Sequence, residues 1–320
     1  MQGYPRAVTR PSAHDLIDLV LDPASWSSWD APPSREGIDE AYAAELAAAA
    51  ERSGVDESVL TGEGRLRGRR IGVLVGEFGF LAGSIGRATA DRLVAAIERA
   101  TASGLPLLAA PVSGGTRMQE GTPAFVQMVR ISEAVMAHKA AGLPYLVYLR
   151  HPTTGGGMAS WGSLGHITVA EPGALVGFLG PRVYAALYGK DFPEDVQTSE
   201  NLYARGIIDA VVAPADIADI VDRALRIMRP DPAALDLVED PDTGGAAEVD
   251  AWECVVRSRD PRRPGVRPLL RHAASDVVPL NGTGQGETDP GLLIALVRFG
   301  EVPCVLLGQD RRGQAENQPL

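Results

Sequence analysis

The sequence predicts an α/β domain whose strands are mostly parallel, and three observations support this. Short apolar runs alternate with amphipathic helical segments between residues 62 and 228. The connections between them are short and rich in glycine, of which the chain has 36. The hydrophobic fraction, 45% of 320 residues, is ordinary for a globular protein and excludes wholesale disorder. Strands that alternate with helices in this way are typical of a parallel sheet covered by helices.

Residues 1–61 predict a helical N-terminal segment ahead of this domain. Ser12 is a candidate N-cap for a first helix. Trp26 and Trp29 follow in a loop rich in proline and serine, where we expect them to be packing anchors. Residues 37–53 are rich in alanine, which favours a second helix.

Residues 62–230 carry the alternating pattern and form the main predicted domain. It opens with a hairpin in which Gly68 occupies the turn. The later predicted elements are a helix in 83–104, a strand in 105–112, a helix in 122–142, a strand in 143–149, a short strand in 166–172, an apolar run in 174–180, a helix end with a strand in 200–212 and a helix in 214–228.

The remaining chain predicts an incomplete second domain. Residues 231–250 are rich in Asp, Pro and Gly and are typical of a linker. A final segment, 251–320, predicts a helix near 266–274 and a hairpin with strands near 292–298 and 302–308. About 70 residues ending in one hairpin bury too little apolar area to form a separate core.

Composition excludes several classes of protein. Cys254 and Cys304 are the only cysteines, too few for a cysteine-rich zinc site or a disulfide framework. A net charge of −11 disfavours nucleic acid as a partner. No apolar run approaches the roughly 18 residues of a membrane span, and no apolar stretch follows the first arginines as in a secretory signal. We therefore expect a cytoplasmic protein.

Two glycine clusters carry the main functional signal, because each directly follows a predicted buried strand. They span residues 113–121 and 152–158. Ligands bind at the carboxyl ends of strands in open α/β sheets, and consecutive glycines let backbone N–H groups face one point. Such amides can stabilise an oxyanion. The alternative is that the glycines only form turns.

Side chains give weaker evidence for a functional site in this sequence than the glycine clusters do. His151 and His166 flank the second cluster, but we favour a structural role because neither has an acidic neighbour in sequence. Glu120 is the one plausible acid–base group near a glycine cluster, with a role at a helix N-terminus as the alternative. No P-loop, dinucleotide fingerprint, nucleophile elbow or metal-ligand spacing occurs.

A basic stretch straddles the predicted hairpin turn. We interpret it as a solvated strand edge that discourages further pairing. Contact with a substrate phosphate is the minority interpretation. Its members are Arg65, Arg67, Arg69 and Arg70.

Five motifs occur in order over residues 62–228: GEFGFLAGSIG, SGGTRMQEG, HPTTGGGMASWGSLG, AEPGALVGFLGPRV and QTSENLYARGIIDAVV. Together they resemble the carboxyltransferase beta subunit of acetyl-CoA carboxylase, a member of the crotonase superfamily. Residues 6–60 resemble the helical segment of that subunit more loosely, and its four-cysteine zinc ribbon is absent here. Residues 252–313 resemble the opening of the alpha subunit, without the alpha subunit's own glycine-rich loop.

This resemblance implies a crotonase-like (ClpP/crotonase) spiral of ββα units with a carboxyltransferase activity. The carboxyl group would pass from carboxybiotin on a biotin carboxyl carrier protein to the α-carbon of an acyl-CoA, giving malonyl-CoA from acetyl-CoA. No metal and no cofactor would be bound by the chain itself. The implied partners are the acyl-CoA, the carrier protein, and an alpha-type half or a second copy of the chain.

The resemblance also implies which residues form the site. The thioester oxyanion would accept hydrogen bonds from the backbone of Gly155 and Gly156. Arg182 would orient the site or a dimer. The other implied substrate-binding residues are Gly83, Ser84, Gly86, Gly114, Gly115 and Gly157.

Three alternatives remain at this point. The chain could be an inactive scaffold subunit of a carboxylase, or a malonyl-CoA decarboxylase-type relative that runs the reaction in reverse. It could also be an enoyl-CoA hydratase, which needs two carboxylates over the thioester. Only Glu120 lies near a glycine cluster in the sequence.

Overall fold

The computed structural model describes residues 11–229, 250–260, 262–282 and 287–310. The strands are β1 (Ser27–Ser28), β2 (Val59–Leu66), β3 (Arg69–Gly76), β4 (Leu107–Ala110), β5 (Tyr145–Leu149), β6 (Thr153–Thr154), β7 (Ile167–Ala170), β8 (Val176–Gly177), β9 (Ala210–Val211), β10 (Ala274–Leu280), β11 (Leu292–Phe299) and β12 (Val302–Gln309). The helices are α1 (Ala13–Val20), α2 (Glu40–Ser53), α3 (Arg87–Ala102), α4 (Thr122–Ala140), α5 (Pro181–Tyr188), α6 (Ser199–Ala204), α7 (Ile217–Met228), α8 (Ala251–Ser258) and α9 (Val266–Ala273).

Seven strands form one sheet in the spatial order β1-β2-β3-β4-β5-β7-β9. The pairs from β1 to β3 are antiparallel, and every pair from β3 onward is parallel. β6 and β8 form a separate parallel pair. The predicted α/β class with mostly parallel strands is confirmed.

Side chains of the sheet alternate between two apolar clusters, as the period of two in a strand requires. Val73 and Val75 pack on the side of α1, α2 and α7, whereas Leu74 packs on the side of α3 and α4. Strands covered on both faces are apolar throughout, which explains the continuous apolar runs in the sequence. The domain therefore has three layers, with the sheet in the middle.

The hairpin and the first helix form as their local sequence predicts. Gly68 has φ +81° in the turn between β2 and β3, a value that costs glycine little. Ser12 caps α1 in a capping box with Asp15. Trp26 and Trp29 pack against the two apolar clusters, as expected of anchors.

The predicted helical N-terminal segment also supplies strands to the sheet. β2 begins at Val59, three residues before the predicted boundary, and β1 pairs with it. α5 and α8 are helices that the sequence did not indicate to us.

The C-terminal part contains three strands where one hairpin was predicted. β10, β11 and β12 form an antiparallel sheet. β10 lacks a clear apolar alternation and contains Pro279, which an edge strand tolerates because it need not donate to the ladder. Among the described residues, this sheet buries a small cluster with Leu270, Ala295 and Val297 at its centre. The predicted linker, 231–250, lies almost entirely outside the described residues.

Among the described helices, none combines the length and the apolar character that crossing a bilayer demands.

Packing between α4 and the sheet should contribute strongly to stability. Ile131 is fully buried on α4, whereas Val129 on the same helix is 67% exposed. We expect Ile131→Ala to lower the free energy of unfolding by about 2–5 kcal/mol through lost burial and a cavity. Val129→Ala should change it by less than about 0.5 kcal/mol. Urea denaturation of both variants checks this, and equal effects would contradict the assigned burial.

Candidate functional site

The candidate site lies where three neighbouring parallel strands end. β3, β4 and β5 are adjacent and parallel, so their carboxyl ends meet at one edge of the sheet. The segments that follow them are 77–86, 111–117 and 150–157. The last two contain the predicted glycine clusters, and the first contains Gly83 and Gly86.

Backbone hydrogen bonds join these segments side by side. The middle loop, residues 113–116, forms backbone hydrogen bonds to the segments on both sides of it. On one flank the N–H of Gly114 donates to the carbonyl of Ala82 at 2.8 Å. On the other, the N–H of Thr154 donates to the carbonyl of Ser113 at 2.8 Å. The structure therefore brings the two glycine clusters together. The sequence indicated this only because each cluster directly follows a predicted buried strand.

The second glycine cluster presents unpaired amides, but not the pair first expected. The N–H of Gly155 donates to the carbonyl of Gly177 at 3.0 Å, so the prediction that it faces a ligand needs correction. The carbonyl of Gly155 accepts the N–H of Ala159 at 3.0 Å and thereby begins a short helix. Gly156 and Gly157 are its first helical residues, whose N–H groups have no partner within a helix. Within the described chain, neither amide has another acceptor.

The glycines of the middle loop differ in their surroundings. The N–H of Gly115 is held by Oγ of Ser113 at 3.0 Å. Its φ is +117°, and a Cβ there would meet nothing closer than the carbonyl oxygen of Thr154 at 4.0 Å. Gly115 is therefore a buried residue at van der Waals distance from Thr154, whereas Gly114 lies beside Ala82 and is exposed.

Gly83, Ser84 and Gly86 are occupied by contacts inside the chain. A Cβ on Gly83 would lie 2.2 Å from the carbonyl oxygen of Val112, so only glycine permits this approach. A Cβ on Gly86 would lie 2.3 Å from Oε1 of Glu120. Their role in binding substrate stays a prediction. Arg182 lies in α5, but its side chain is outside the described structure.

Glu120 interacts with a helix N-terminus, but the helix is α3 and not α4, which follows Glu120 in the sequence. Its Oε2 accepts the N–H of Arg87, the first residue of α3, at 2.7 Å. Its Oε1 accepts the hydroxyl of Tyr42 at 2.7 Å. Both oxygens are thus engaged, which favours the structural alternative over acid–base chemistry.

A buried ion pair beside the glycine loops was missed in the sequence. Arg117 and Glu57 are both fully buried, and Nη2 of Arg117 lies 2.5 Å from Oε1 of Glu57. Arg117 belongs to the first glycine cluster, but Glu57 is 60 residues away in sequence. The only local signal was an arginine inside a glycine-rich turn, and nothing identified its partner.

The charges of this pair hold each other in the ionised form. Burial raises the pKa of Glu57, but hydrogen bonds and the charge of Arg117 outweigh it, so the pKa is lowered from its ordinary value. Burial lowers the pKa of Arg117, and Glu57 more than reverses that shift. Burial, followed by the hydrogen bond to Glu120, raises the pKa of Tyr42 to about 12.

The histidines near the site make structural hydrogen bonds. Nδ1 of His151 accepts the N–H of Leu175 at 3.0 Å, which fixes the strand that pairs with the second glycine cluster. Nδ1 of His166 accepts the N–H of Tyr145 at 3.0 Å. Among the described residues, no group of three or more His, Cys, Asp or Glu side chains could hold a metal ion.

The basic hairpin does not face the candidate site. Its turn precedes β3, at the end of the strand opposite the glycine loops. Arg67 pairs with Asp219 and Asp222 of α7, and Arg70 pairs with Glu63 at 2.6 Å. These ion pairs lie away from the glycine loops, which disfavours contact with a substrate phosphate at the candidate site. The interpretation as a solvated strand edge stays a prediction.

Comparison with known proteins identifies what the chain is similar to. The family model "Carboxyl transferase domain" matches residues 10–316. A Mycobacterium bovis protein, named "Probable biotin-dependent acyl-coenzyme A carboxylase beta3 subunit", is 58% identical over 304 residues, which are 95% of this chain. The match covers 61% of that relative, so the chain spans about three fifths of its length.

More distant relatives agree on the fold. A Brucella anthropi protein named "Acetyl-coenzyme A carboxylase carboxyl transferase subunit beta" is 36% identical over 235 residues, 72% of this chain and 78% of its own. The crystal structure of transcarboxylase 12S superposes with a TM-score of 0.70 over 93% of this chain and 57% of that chain, at 20% identity. The predicted crotonase-like fold is thereby confirmed.

One family match runs through the C-terminal segment without a break. It does not distinguish an alpha-type part, so the resemblance of residues 252–313 to an alpha subunit stays a prediction. The same holds for the predicted domain boundaries.

Neutralising Glu57 should test the buried pair. We expect Glu57→Gln to lower the free energy of unfolding at pH 7 by about 3–5 kcal/mol, because Arg117 is left as an uncompensated buried charge. Because the folded pKa of Glu57 lies below its ordinary 4.5, its contribution is present above pH 4.5 and is lost as the pH falls through the folded pKa.

The difference between wild type and Glu57→Gln should therefore narrow in acid. Urea denaturation between pH 7 and pH 3 measures it. A difference that stays constant over this range would show that folding does not lower the pKa of Glu57.

Proposed function

We propose that this chain, which belongs to the carboxyl transferase domain family, provides the acyl-CoA site of a biotin-dependent carboxyl transfer. The carboxyl group would come from carboxybiotin on a biotin carboxyl carrier protein and pass to the α-carbon of an acyl-CoA. With acetyl-CoA the product would be malonyl-CoA. The names of the Mycobacterium and Brucella relatives support the reaction class.

The unpaired amides of Gly156 and Gly157 carry this proposal. Removal of the α-proton places negative charge on the thioester oxygen, and two preorganised N–H donors stabilise that charge. As the first residues of a helix, Gly156 and Gly157 direct their N–H groups out of its N-terminal end. Gly114 of the middle loop is exposed, which leaves backbone open to a ligand at this edge of the sheet.

The proposed reaction needs no acidic or basic side chain on this chain. The N–carboxyl bond on the biotin side breaks, a C–C bond forms at the α-carbon, and the α-proton goes to the biotin ureido group. The chain's part is to bind the acyl-CoA and to hold its enolate oxygen. This agrees with the engagement of both Glu120 oxygens, since an enoyl-CoA hydratase would require two free carboxylates and Glu120 is the one carboxylate near a glycine cluster in the sequence.

A partner for the biotin side is part of the proposal. Apolar side chains along one side of α4 and the turn before it are strongly exposed, and such patches are typical of interaction surfaces. We propose that an alpha-type half or a second copy covers them. They are Met118, Phe125, Val129 and Met136.

A transfer assay tests the proposed function. Carrier protein charged with ¹⁴C-carboxybiotin is mixed with the chain, with and without an alpha-type partner, and with acyl-CoAs of increasing chain length. Label on the acyl-CoA supports the proposal and identifies the preferred acyl group. Release of CO₂ from malonyl-CoA without biotin would favour a decarboxylase, and acyl-CoA binding without transfer would favour a scaffold.

Replacing Gly156 should isolate the contribution of its amide. Proline is tolerated at the first helical position because that N–H has no partner in the helix. We expect Gly156→Pro to lower kcat by about 10²–10³-fold, the usual loss for one oxyanion donor, with little change in stability.

Gly156→Ala is the matched control, since it keeps the N–H and adds only a Cβ. That Cβ would lie 2.8 Å from Sδ of Met128, a flexible side chain, and 3.0 Å from Oγ1 of Thr116. The loss of kcat should therefore be much smaller than for proline. Equal losses in steady-state assays would attribute the effect to crowding and remove the amide from the mechanism.

A further inference from the structure

The Arg117–Glu57 ion pair is more completely built than a stabilising contact requires. Nη1 of Arg117 lies 3.1 Å from Oε2 of Glu57, so with the contact from Nη2 the pair is two-pronged. Oε1 of Glu57 also accepts the N–H of Ser58 at 2.8 Å and the hydroxyl of Thr89 at 3.1 Å. Removing two charges from water costs about as much as their attraction returns, and apolar side chains often fill such a space equally well. Stability alone does not account for this arrangement.

Arg117 is attached to the loop and to the segment beside it at the same time. Its own N–H donates to the carbonyl of Ile85 at 2.9 Å, and the N–H of Ile85 donates to the carbonyl of Gly115 at 3.0 Å. Its side chain reaches the same segment, since Nη2 donates to the carbonyl of Ser84 at 2.7 Å and Nε lies 3.3 Å from the hydroxyl of Ser84. The backbone and the guanidinium of Arg117 thus both bind the segment that contains Ser84 and Ile85.

Backbone hydrogen bonds hold the loop that Arg117 ends against both neighbouring segments, but side chains add little to them. Gly114 and Gly115 have no side chains to pack. Thr116, the residue directly before Arg117, lies next to the second glycine cluster, since a Cβ added to Gly156 would be 3.0 Å from its Oγ1. A shift of Arg117 would therefore reach the unpaired amides through a single residue.

We infer that Arg117 and Glu57 are positioning residues: their buried pair fixes the loop 113–116 and, through Thr116, the amides of Gly156 and Gly157. This inference rests on the proposed function for its effect on turnover. Its effect on the loop itself does not depend on which reaction the site performs.

The test replaces the pair with apolar side chains of similar size, Arg117→Met with Glu57→Leu. This double variant leaves neither partner of the pair as an unpaired buried charge. It removes the acceptor of the Ser58 N–H and the Thr89 hydroxyl, so it should fold with a moderately lowered unfolding midpoint. If the pair positions the loop, kcat should fall by about 10²-fold, as misplacement of a site by about 1 Å can cause. KM for acyl-CoA should change little, and backbone hydrogen exchange should accelerate in residues 113–117 and 153–157.

The matched control is a second buried arginine in the same region. Arg92 on α3 pairs with Asp56 at 2.8 Å and donates to the carbonyl of Val59, but it contacts none of the glycine segments. Arg92→Met with Asp56→Asn should lower the unfolding midpoint while kcat and exchange in the glycine segments stay at wild-type values.

Two results would overturn the inference. The first is wild-type kcat and wild-type exchange in the double variant, which would make the pair purely structural. If the double variant does not fold, Arg117→Lys keeps the charge but loses the two-pronged geometry, and wild-type kcat in that variant is the second such result. A wild-type chain that transfers no carboxyl group would contradict the proposed function instead, and hydrogen exchange would still decide the positioning role.

Discussion

The middle loop, residues 113–116, depends on hydrogen bonds to both of its neighbours. Ala82 accepts from it on one side, and it accepts from Thr154 on the other. Each bond is an ordinary backbone interaction, but together they bring the ends of three parallel strands into one assembly. The unpaired amides of Gly156 and Gly157 owe their place beside that loop to this assembly, since a segment with so little side-chain mass cannot be located by packing.

Glycine serves two different purposes in this assembly. At Gly83 the absence of a Cβ allows the backbone of Val112 to approach, and at Gly86 it allows the carboxylate of Glu120 to approach. Both glycines therefore serve packing within the protein. At Gly156 the absence of a Cβ leaves room for Met128 and Thr116, and the N–H has no acceptor among the described residues. The same residue type thus permits close packing at one point and leaves a backbone donor unpaired at another.

The carboxylates of Glu57 and Glu120, beside the candidate site, are engaged by other groups of the protein. Arg117 and Glu57 satisfy each other in the interior, and Glu120 is engaged by Tyr42 and the start of α3. Electrostatic stabilisation of a ligand at this site would therefore come from backbone dipoles, not from a free carboxylate or an imidazole. Backbone donors need no change of protonation and little reorganisation, which suits them to a transient negative oxygen.

Much of the fold could be predicted because its determinants are local. Apolar runs gave β3 to β5, the helical periodicity gave α3 and α4, and Gly68 gave the hairpin turn. β1 and β10 were not predicted because neither sequence shows the apolar alternation that is typical of a strand. The glycine clusters indicated the edge of the sheet where the candidate site lies, because strand ends and glycine clusters can both be recognised in the sequence.

By itself, the sequence determined the fold class, the position of the glycine loops and the family that their motifs resemble. Only the tertiary structure decided which amides remain unpaired, because that depends on acceptors such as the Gly177 carbonyl that arrive from distant strands. It alone also decided that Arg117 meets Glu57, since a buried charge is matched by whatever residue the fold brings within reach, and no local pattern records that partner.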